Sequence, residues 1–503
     1  MLPLGFLPAL VAASWSYGII ADCGSTGTRV YIYKWSDTEP LTEFIPVKQE
    51  DEDLLSKTPG ISSFTGRPRD EIVSYFAPLL AQAARWVPAE AQPLTTVRAL
   101  GTAGMRLLSE EEQTPIWAGI DAAIAASDFK FEVGNSQTLG GEYEGIFLWL
   151  AMSLIRERAP EAAPSALFGG LDLGGASTQI TFPPASGVIL GDAFRLLVNG
   201  SATRLYSHSY MRSGQNQAIQ RYAQALSDHD GCPAAFAALS SPCGNPGLDT
   251  NVTVSCAPQG GPAQCVRRLV GTGDWSACKA HTNALLGLDN ECLLHPCAAH
   301  GVYQPPLVQV TLYGVSAFFY TAYGLGLVAW DEAKGISTEQ LEAAGRGFCA
   351  ANWSSVAADP HAHVYCFASA YIPSLLDAYS VPRASTTSVL YTRKIEGFAA
   401  SWALGAQLFF MEQSRCEIEA SGRPGGDAPR CAHNETGADG AARTHIARLE
   451  VAVFAGVPTA LLLGLLLGVA LLRCRDERQA GSKALAPPFV QMPAEGPQQT
   501  EGV

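Results

Sequence analysis

The sequence predicts an α/β protein of two globular domains built from a duplicated unit. Its 503 residues exceed one ordinary domain, and a composition of 47% hydrophobic and 16% charged residues excludes a disordered chain. A pattern also occurs twice: an apolar strand, an Asp before a Gly-rich turn with hydroxyl residues, and an alternating strand. The copies lie over 100 residues apart, which predicts two hairpins that face each other.

The first copy reads YGIIADCGSTGTRVYIYKW, with Asp22 at the turn, and the second reads LFGGLDLGGASTQITF, with Asp172 at the turn. Between them, Thr95 to Leu100 is typical of a strand, and a helix begins at Met105 after a Gly-containing turn. Such an α/β unit can present backbone N–H groups at its turn. The next segment, GGEYEGIFLWLAMSLI, predicts a short turn that leads into an apolar helix.

From about residue 228 to about 306 the chain is rich in Cys, Pro and Gly. We expect a disulfide-tied insertion there with few regular elements. Apolar strand and helix patterns return in LVQVTLYGVSAFFYTAYGL and IEGFAASWALGAQLFF. Residues 416–450, rich in Gly, Ala and Asp, are typical of a stalk.

Residues 451–472 form an uncharged apolar run that is long enough to cross a bilayer as a helix. Three arginines follow directly, which places the tail at 473–503 in the cytosol and the long N-terminal part outside the cell or in a lumen. The apolar segment at 1–16 fits either a signal sequence or a truncated second anchor. The sequence therefore predicts a single-pass or two-pass membrane protein whose partners include the lipid bilayer.

The cysteines predict an oxidising compartment for the second half of the chain. Cys23 stands alone, none follows until Cys232, and ten more lie between Cys243 and Cys431. This density favours structural disulfides, and the spacings lack the close pairs typical of zinc sites. Four N-x-S/T sequons lie on the same predicted side of the membrane, at Asn199, Asn251, Asn352 and Asn434.

The charge of the chain restricts its partners. A formal net charge of -14 argues against nucleic acid, because phosphate contacts to a nucleic acid need clustered Lys and Arg. An acidic protein that handles phosphates needs a divalent cation to bridge its carboxylates and the substrate oxygens. Asp22 and Asp172 are the candidates to hold Ca²⁺ or Mg²⁺, and the alternative is that each caps the turn that follows it.

Both turns have the composition of a phosphate cradle. Glycine removes the bulk that would keep N–H groups and hydroxyls away from an anion. Neither turn has the G-K-[S/T] of a P-loop, which disfavours a Walker-type NTPase, and one such turn alone would indicate only an ordinary hairpin. The predicted phosphate-binding residues are Gly24, Ser25, Thr26, Gly27 and Thr28 in the first turn, and Gly174, Gly175, Ala176 and Ser177 in the second.

Hydrolysis of a phosphoanhydride also requires a base that orients and deprotonates water. GGEYEG contains two carboxylates, Glu142 and Glu144, two residues apart, so at most one need face the cleft. Glu144 is the better candidate because it lies beside Gly145 at the start of the apolar helix. A solvated surface position is the alternative for either Glu taken alone.

These segments resemble the five apyrase conserved regions of the ecto-nucleoside triphosphate diphosphohydrolases, the ecto-apyrase family. In order they are DCGSTGTRVYIYKW, LGTAGMRLL, GGEYEGIFLW, LDLGGASTQITF and IEGFAASWALG. The resemblance covers most of the chain from Tyr17 to about Phe410. It implies two RNase H-like lobes of the actin, sugar-kinase and heat-shock-chaperone type around a nucleotide cleft. Lobe I would span 17–141, completed by about 393–415, and lobe II would span 142–392.

The resemblance implies metal-dependent removal of terminal phosphates from nucleoside tri- and diphosphates, from ATP to ADP to AMP. Asp22 and Asp172 match the carboxylates that hold a hydrated metal, and Glu144 matches the base. The residues that match positions around the attacking water and the metal shell are Thr102, Ser177, Gln179 and Trp402.

The base of the nucleotide would be sandwiched between Tyr371 and either Phe319 or Tyr320. The resemblance also implies a disulfide between Cys349 and Cys366, and Cys292 with Cys297 is a second expected pair.

Other readings of the sequence remain open at this point. Cys23 is similar to the DCGS form of some intracellular-organelle members, so the plasma membrane is favoured but a Golgi or other lumenal location is retained. A sugar kinase or chaperone would share the hairpins, although a secreted domain has little ATP available for the phosphorylation of sugars. A catalytically weak nucleotide-binding receptor of the same fold would lack the base or a metal carboxylate, and neither is missing. Assembly into a homo-oligomer is also left open.

Overall fold

The computed structural model describes residues 15–36, 45–46, 56–157, 167–198, 201–229, 238–255, 264–395 and 398–421. The chain divides into a unit over residues 1–436, which contains all of these, and a second unit over residues 437–503. The predicted span at 451–472 and the predicted tail lie outside the described residues. Among those that are described, no helix is both long and apolar enough to cross a bilayer.

The first sheet begins with the predicted hairpin. Its strands and the helices beside it are β1 (Trp15–Cys23), β2 (Thr28–Ser36), β3 (Ile45–Pro46), β4 (Ser56–Lys57), α1 (Arg69–Ala83), β5 (Thr96–Gly101), α2 (Ala103–Arg106), α3 (Glu110–Ala125) and β6 (Ser136–Thr138). The strand order is β3-β2-β1-β5-β6, with β4 paired to β2. β2 runs antiparallel to β1, while β5 runs parallel to it.

The residues of β2 alternate between two hydrophobic clusters. Val30 and Ile32 are buried in the cluster that includes α1 and α3. Tyr31 and Tyr33 lie on the opposite face, in the cluster between the two lobes. This alternation is expected for a strand that is covered on both sides.

Over the described residues, the second sheet contains seven strands. Its strands and the helices around it are β7 (Leu167–Leu173), β8 (Ser177–Phe182), β9 (Ala193–Val198), β10 (Ser201–Met211), α5 (Gln215–His229), β14 (Val310–Ser316), α7 (Ala317–Gly324), β15 (Lys334–Gly335), α8 (Thr338–Ala350), α9 (Trp353–Val356), α10 (Ala362–Ala378) and β16 (Val389–Tyr391). The strand order is β15-β16-β14-β7-β8-β10-β9. β7 and β8 form the second predicted hairpin, and β14 runs parallel to β7.

The two sheets therefore share one plan: an antiparallel hairpin whose first strand is extended on its other side by a parallel strand. Asp22 lies near the end of β1 and Asp172 near the end of β7, so the duplication brings each Asp to the same place in its lobe. The α/β fold and the two facing hairpins predicted from sequence are confirmed.

Two helices pack against each other between the sheets, namely α4 (Gly141–Glu157) and α11 (Trp402–Ser421). A Cβ on Gly405 of α11 would lie 1.8 Å from the carbonyl oxygen of Phe147 in α4. Only glycine allows this approach of the two helices. Their shared cluster also contains Tyr33 and Val315, so it joins both sheets.

The predicted insertion is more regular than expected. It contains β11 (Ala238–Ser241), β12 (Asp249–Ser255), β13 (Gln264–Gly271) and α6 (Trp275–Ala284), while β17 (Lys394–Ile395) and β18 (Phe398–Ala399) form a hairpin before α11. Short strands that pair with one another lie between the turn residues of the insertion, and its composition did not indicate them. Three disulfides are present in the described part: the two predicted pairs, Cys349–Cys366 and Cys292–Cys297, and Cys243–Cys278.

Candidate active site

The Gly-rich turns of the two hairpins, one from each sheet, lie against each other. We use the word cleft for the region around these turns and the carboxyls beside them. A Cβ on Gly175 would lie 2.6 Å from Ser25 Oγ and 3.3 Å from Thr26 Cγ2. The two turns are thus in contact although they come from different lobes. A side chain at Gly175 would push them apart, which explains why glycine is needed there.

The first turn is held in place by its own lobe. A Cβ on Gly104 would lie 2.7 Å from the Cα of Ser25, and one on Gly60 would lie 2.5 Å from the carbonyl oxygens of Gly24 and Ser25. The backbone N–H of Thr102 also donates to the carbonyl of Cys23 at 3.3 Å. Backbone packing on two sides therefore fixes this turn without the help of long side chains.

The second turn is closed by the segment that follows β10. The N–H groups of Gln215 and Asn216 donate to the carbonyls of Gly174 and Gly175 at 2.8 and 2.9 Å. A Cβ on Gly214 would lie 2.4 Å from the backbone nitrogens of Ala176 and Ser177. With its carbonyls occupied, the second turn can present N–H groups to an anion.

Asp22 and Asp172 are both buried beside these turns, with 9% and 8% of their surfaces exposed. Burial raises the pKa of the Asp22 carboxyl to about 7; Arg29 opposes this rise and the charge of Asp172 adds to it. Burial also raises the pKa of Asp172, against a hydrogen bond from Ser316 and the charge of Arg29. The charge of Asp172 in the second hairpin therefore reaches Asp22 in the first.

These carboxylates fit a hard divalent cation. Asp172 Oδ1 is buried and has no hydrogen-bond partner in the described part of the chain. A cation would satisfy this oxygen and offset the repulsion between Asp22 and Asp172. Among the described residues, no group of three or more His, Cys, Asp or Glu side chains is arranged to hold a metal ion by itself.

Glu144 lies in the first turn of α4 and is buried, with 5% of its surface exposed. Its Oε1 accepts a hydrogen bond from Arg106 Nη1 at 2.6 Å. Burial raises the pKa of Glu144 to about 7, Arg106 opposes the rise, and the charges of Asp172 and Asp22 increase it. Three carboxyls with raised pKa values in one cleft are typical of a functional site rather than of a structural core.

Arg106 is the functional residue that the sequence analysis missed. Its Nη1 also donates to the carbonyl of Leu139 at 3.1 Å, and its Nη2 donates to Ser177 Oγ at 3.0 Å. It thereby joins α2 of lobe I to Glu144 and to β8 of lobe II. The signal was present, because Arg106 stands in LGTAGMRLL, and a charged residue in an apolar segment needs a partner.

Three of the other predicted residues, Ser177, Gln179 and Thr102, are linked to this arginine by hydrogen bonds. Gln179 Nε2 donates to Ser177 Oγ at 2.7 Å and to Ser209 Oγ at 2.9 Å. Thr102 lies directly before α2, and its carbonyl accepts from the N–H of Arg106 at 3.2 Å. Trp402 begins α11 and is buried in the cluster between the lobes. The structure thus brings Ser177, Gln179 and Glu144 into one hydrogen-bonded network through Arg106.

Of the three aromatic residues that were predicted to stack on the base, only one is exposed at the surface. Tyr320 in α7 is 48% exposed, whereas Phe319 beside it is fully buried, so of the two alternatives Tyr320 can meet a base. Tyr371 is also fully buried, and its hydroxyl donates to the carbonyl of Ser213 at 2.7 Å. Because α10 holds Tyr371 in the core, its ring has no open face for stacking. This burial favours a core position for Tyr371, and its assignment to base binding stays a prediction.

The sequence and fold are similar to those of known phosphohydrolases. The model of the GDA1/CD39 (nucleoside phosphatase) family matches residues 10–423. The chain is 30% identical over 427 residues to ectonucleoside triphosphate diphosphohydrolase 1 of Mus musculus, covering 78% of this chain and 80% of that one. It is 26% identical over 456 residues to the Golgi apyrase of Saccharomyces cerevisiae, covering 79% and 70%.

Among solved structures, a nucleoside triphosphate hydrolase from Neospora caninum has the same fold, with a TM-score of 0.57 and 17% identity over 79% of this chain and 92% of that one. The family match spans both hairpins, α4 and α11, and thus every residue of the cleft described above. The chain is an enzyme and belongs to the GDA1/CD39 (nucleoside phosphatase) family.

Proposed function

We propose that this enzyme hydrolyses the terminal phosphoanhydride bond of nucleoside tri- and diphosphates with the help of a divalent cation. The observation that carries the proposal is a set of three buried carboxyls, on Asp22, Asp172 and Glu144, whose charges reach one another beside two Gly-rich turns in contact. Relatives named triphosphate diphosphohydrolase and nucleoside-diphosphatase support both substrate classes.

Each group of residues in the cleft can take a different role in hydrolysis. The N–H groups of both turns would bind phosphate oxygens, and a cation held by Asp22 and Asp172 would supply charge neutralisation when bound. Glu144 would accept a proton from the attacking water, because its oxygen is fixed by Arg106 and its pKa lies near neutrality. Ser177 and Gln179, hydrogen-bonded at 2.7 Å, would orient that water.

The decisive experiment measures phosphate release from ATP, ADP, UTP, UDP and AMP by the purified protein, with Ca²⁺, with Mg²⁺ and with excess chelator. Hydrolysis of the tri- and diphosphates that requires either cation, without release from AMP, is the expected result. Full activity in chelator would refute metal dependence. Binding of nucleotides without turnover would instead support a nucleotide-binding receptor of this fold.

Replacement of Arg106 by Gln is expected to shift the acid limb of the kcat–pH profile to higher pH, by about one unit or more. Glu144 acts as a base only when ionised, and loss of the adjacent cation would raise its pKa further. As the pH falls, the variant would therefore lose activity at a higher pH than the wild-type enzyme does. Arg106→Lys, which keeps the charge, should shift the limb less. An unchanged profile with only a lower Tm would mean that Arg106 is structural.

Replacement of Tyr320 by Ala is expected to raise KM for ATP and UTP alike by about tenfold to a hundredfold, since stacking on a base contributes about 1–3 kcal/mol. Hydrolysis of tripolyphosphate, which has no base, should not change. Tyr320 adds to the raised pKa of Tyr31 on β2, whereas Tyr323 on the same helix adds to the raised pKa of Tyr365 in α10. Tyr323→Ala is thus a matched control that should leave KM near wild type. Equal impairment of tripolyphosphate and ATP would refute the stacking role.

We further propose that the catalytic part lies outside the cell or in a lumen, and that the run at 451–472 anchors it in the bilayer. The support is the oxidised cysteine pairs, two sequon residues that are exposed in the described part, Asn251 and Asn352, and relatives named as ecto- and Golgi enzymes. Glycosidase sensitivity and protease protection of membrane fractions would test this placement. A protein that carries no glycan and stays in the soluble fraction would contradict it.

A further inference from the structure

Arg29 is a cation of the cleft to which no role has been assigned. It lies on β2 directly opposite Asp22 in the hairpin register. Because side chains alternate along a strand, Arg29 shares the face of Tyr31 and Tyr33, which looks toward the space between the lobes. Its side chain remains exposed there, whereas the flanking Thr28 and Val30 are buried.

The charge of Arg29 acts on both metal-binding candidates. It opposes the rise in the pKa of Asp22, and it does the same for Asp172 of the other lobe. Because Arg29 pairs with Asp22 in the hairpin register, its side chain lies on the same face of the sheet as that carboxylate. Yet Arg29 forms no salt bridge with any residue that the structure describes, whereas Arg106 is paired with Glu144 at 2.6 Å.

The surroundings of Arg29 indicate which part of a substrate it would meet. Burial raises the pKa of the neighbouring Tyr31, Asp22 and Tyr320 add to the rise, and Arg29 and Ser401 oppose it. Arg29 thus belongs to the same wall of the cleft as Asp22 and Tyr31, which share its face of the sheet. A nucleotide whose terminal phosphate lies at Asp22 and whose base lies at Tyr320 must pass its inner phosphates along this wall.

We infer that Arg29 is a substrate-binding residue whose guanidinium contacts the phosphate that remains on the nucleoside product. This inference rests on the proposed function and specifies how the substrate is held. A guanidinium presents a fork of N–H donors that matches two phosphate oxygens. The carboxyls of Asp22, Asp172 and Glu144 would repel a polyphosphate, and Arg106 is already engaged by Glu144, so an unpaired arginine offsets part of that repulsion.

The test compares Arg29→Gln and Arg29→Lys with wild type and with Arg67→Gln. Arg67 is also an exposed arginine, but it forms an ion pair with Glu71 in the first turn of α1 and is not part of the cleft. KM and kcat are measured for ATP, ADP and tripolyphosphate, together with the Tm and the cation concentration that gives half-maximal activity. Competitive inhibition by AMP and by inorganic phosphate is measured in the same series.

We expect Arg29→Gln to raise KM for ATP, ADP and tripolyphosphate by about 10- to 100-fold, the usual loss for a charge-assisted hydrogen bond. Arg29→Lys should retain part of the affinity. The inhibition constant of AMP should rise with KM, whereas that of inorganic phosphate should not, because only AMP carries the contacted phosphate. Arg67→Gln should match wild type in every one of these measurements.

Three results would overturn the inference. Unchanged KM values for Arg29→Gln would make Arg29 an ordinary solvated side chain. A raised cation requirement with normal KM and AMP inhibition would mean that Arg29 acts on Asp22 and Asp172 rather than on substrate. A loss of phosphate inhibition without a loss of AMP inhibition would move the contact to the departing phosphate. Wild-type turnover in the same assay tests the proposed function separately, so the two failures can be distinguished.

Discussion

Glu144→Gln will lower kcat by about 10²- to 10⁴-fold while nucleotide binding changes little. The amide has the size of the carboxyl and can still accept the hydrogen bond from Arg106, but it cannot take a proton from water. The loss should therefore fall on kcat rather than on KM. Steady-state phosphate release and direct binding of a non-hydrolysable nucleotide separate the two quantities.

Glu142 provides the matched control for this experiment. It lies in the same helical turn, two residues before Glu144, but is only half-buried. Glu142→Gln should thus retain wild-type kcat. Activity of Glu144→Gln above one tenth of wild type, or an equal loss in both variants, would contradict the role of Glu144 as the base.

Asp172→Asn and Asp22→Asn will each lower activity at saturating cation by about 10²-fold or more, because each removes one of the two carboxylates proposed to hold the cation. Thermal unfolding supplies a readout that does not depend on turnover. Added Ca²⁺ or Mg²⁺ should raise the Tm of the wild-type protein, since a ligand that binds only the folded state stabilises it. Both variants should lose most of this increase.

The same substitutions should stabilise the protein in chelator at pH above 7. The pKa of Asp22 is raised in the folded state to about 7, so the folded protein loses stability as the pH rises from the ordinary value of 3.8 through 7. An amide carries no charge and avoids this loss. Asp70, exposed in the first turn of α1, is the control, and Asp70→Asn should preserve both activity and the cation-dependent Tm. A normal Tm increase in Asp172→Asn would refute its part in cation binding.

The local elements of the cleft could be predicted because their causes are local. Alternating strands on both sides of a Gly-rich turn bury their apolar faces by forming a hairpin. The antiparallel pairing of Asp22 with Arg29 and of Cys23 with Thr28 follows from that pattern. Asp172 repeats the arrangement at the equivalent place in the second hairpin. Both hairpins, the α/β class and the family were therefore available from the sequence alone.

Contacts between distant segments could not be predicted in this way. Arg106 meets Glu144 and Ser177, which lie 38 and 71 residues further along the chain, and no local pattern records that encounter. The insertion shows the same limit, because its short strands depend on pairing with one another rather than on propensity.

Side-chain exposure divides what the sequence determined from what only the tertiary structure decided. Composition determined that Tyr320 and Tyr371 lie in apolar segments. Packing decided that the ring of Tyr320 is 48% exposed and that of Tyr371 is buried within α10. The physical reason is that an aromatic ring fits a core and a base platform equally well. Only the elements packed around the ring decide whether one face stays open to a ligand.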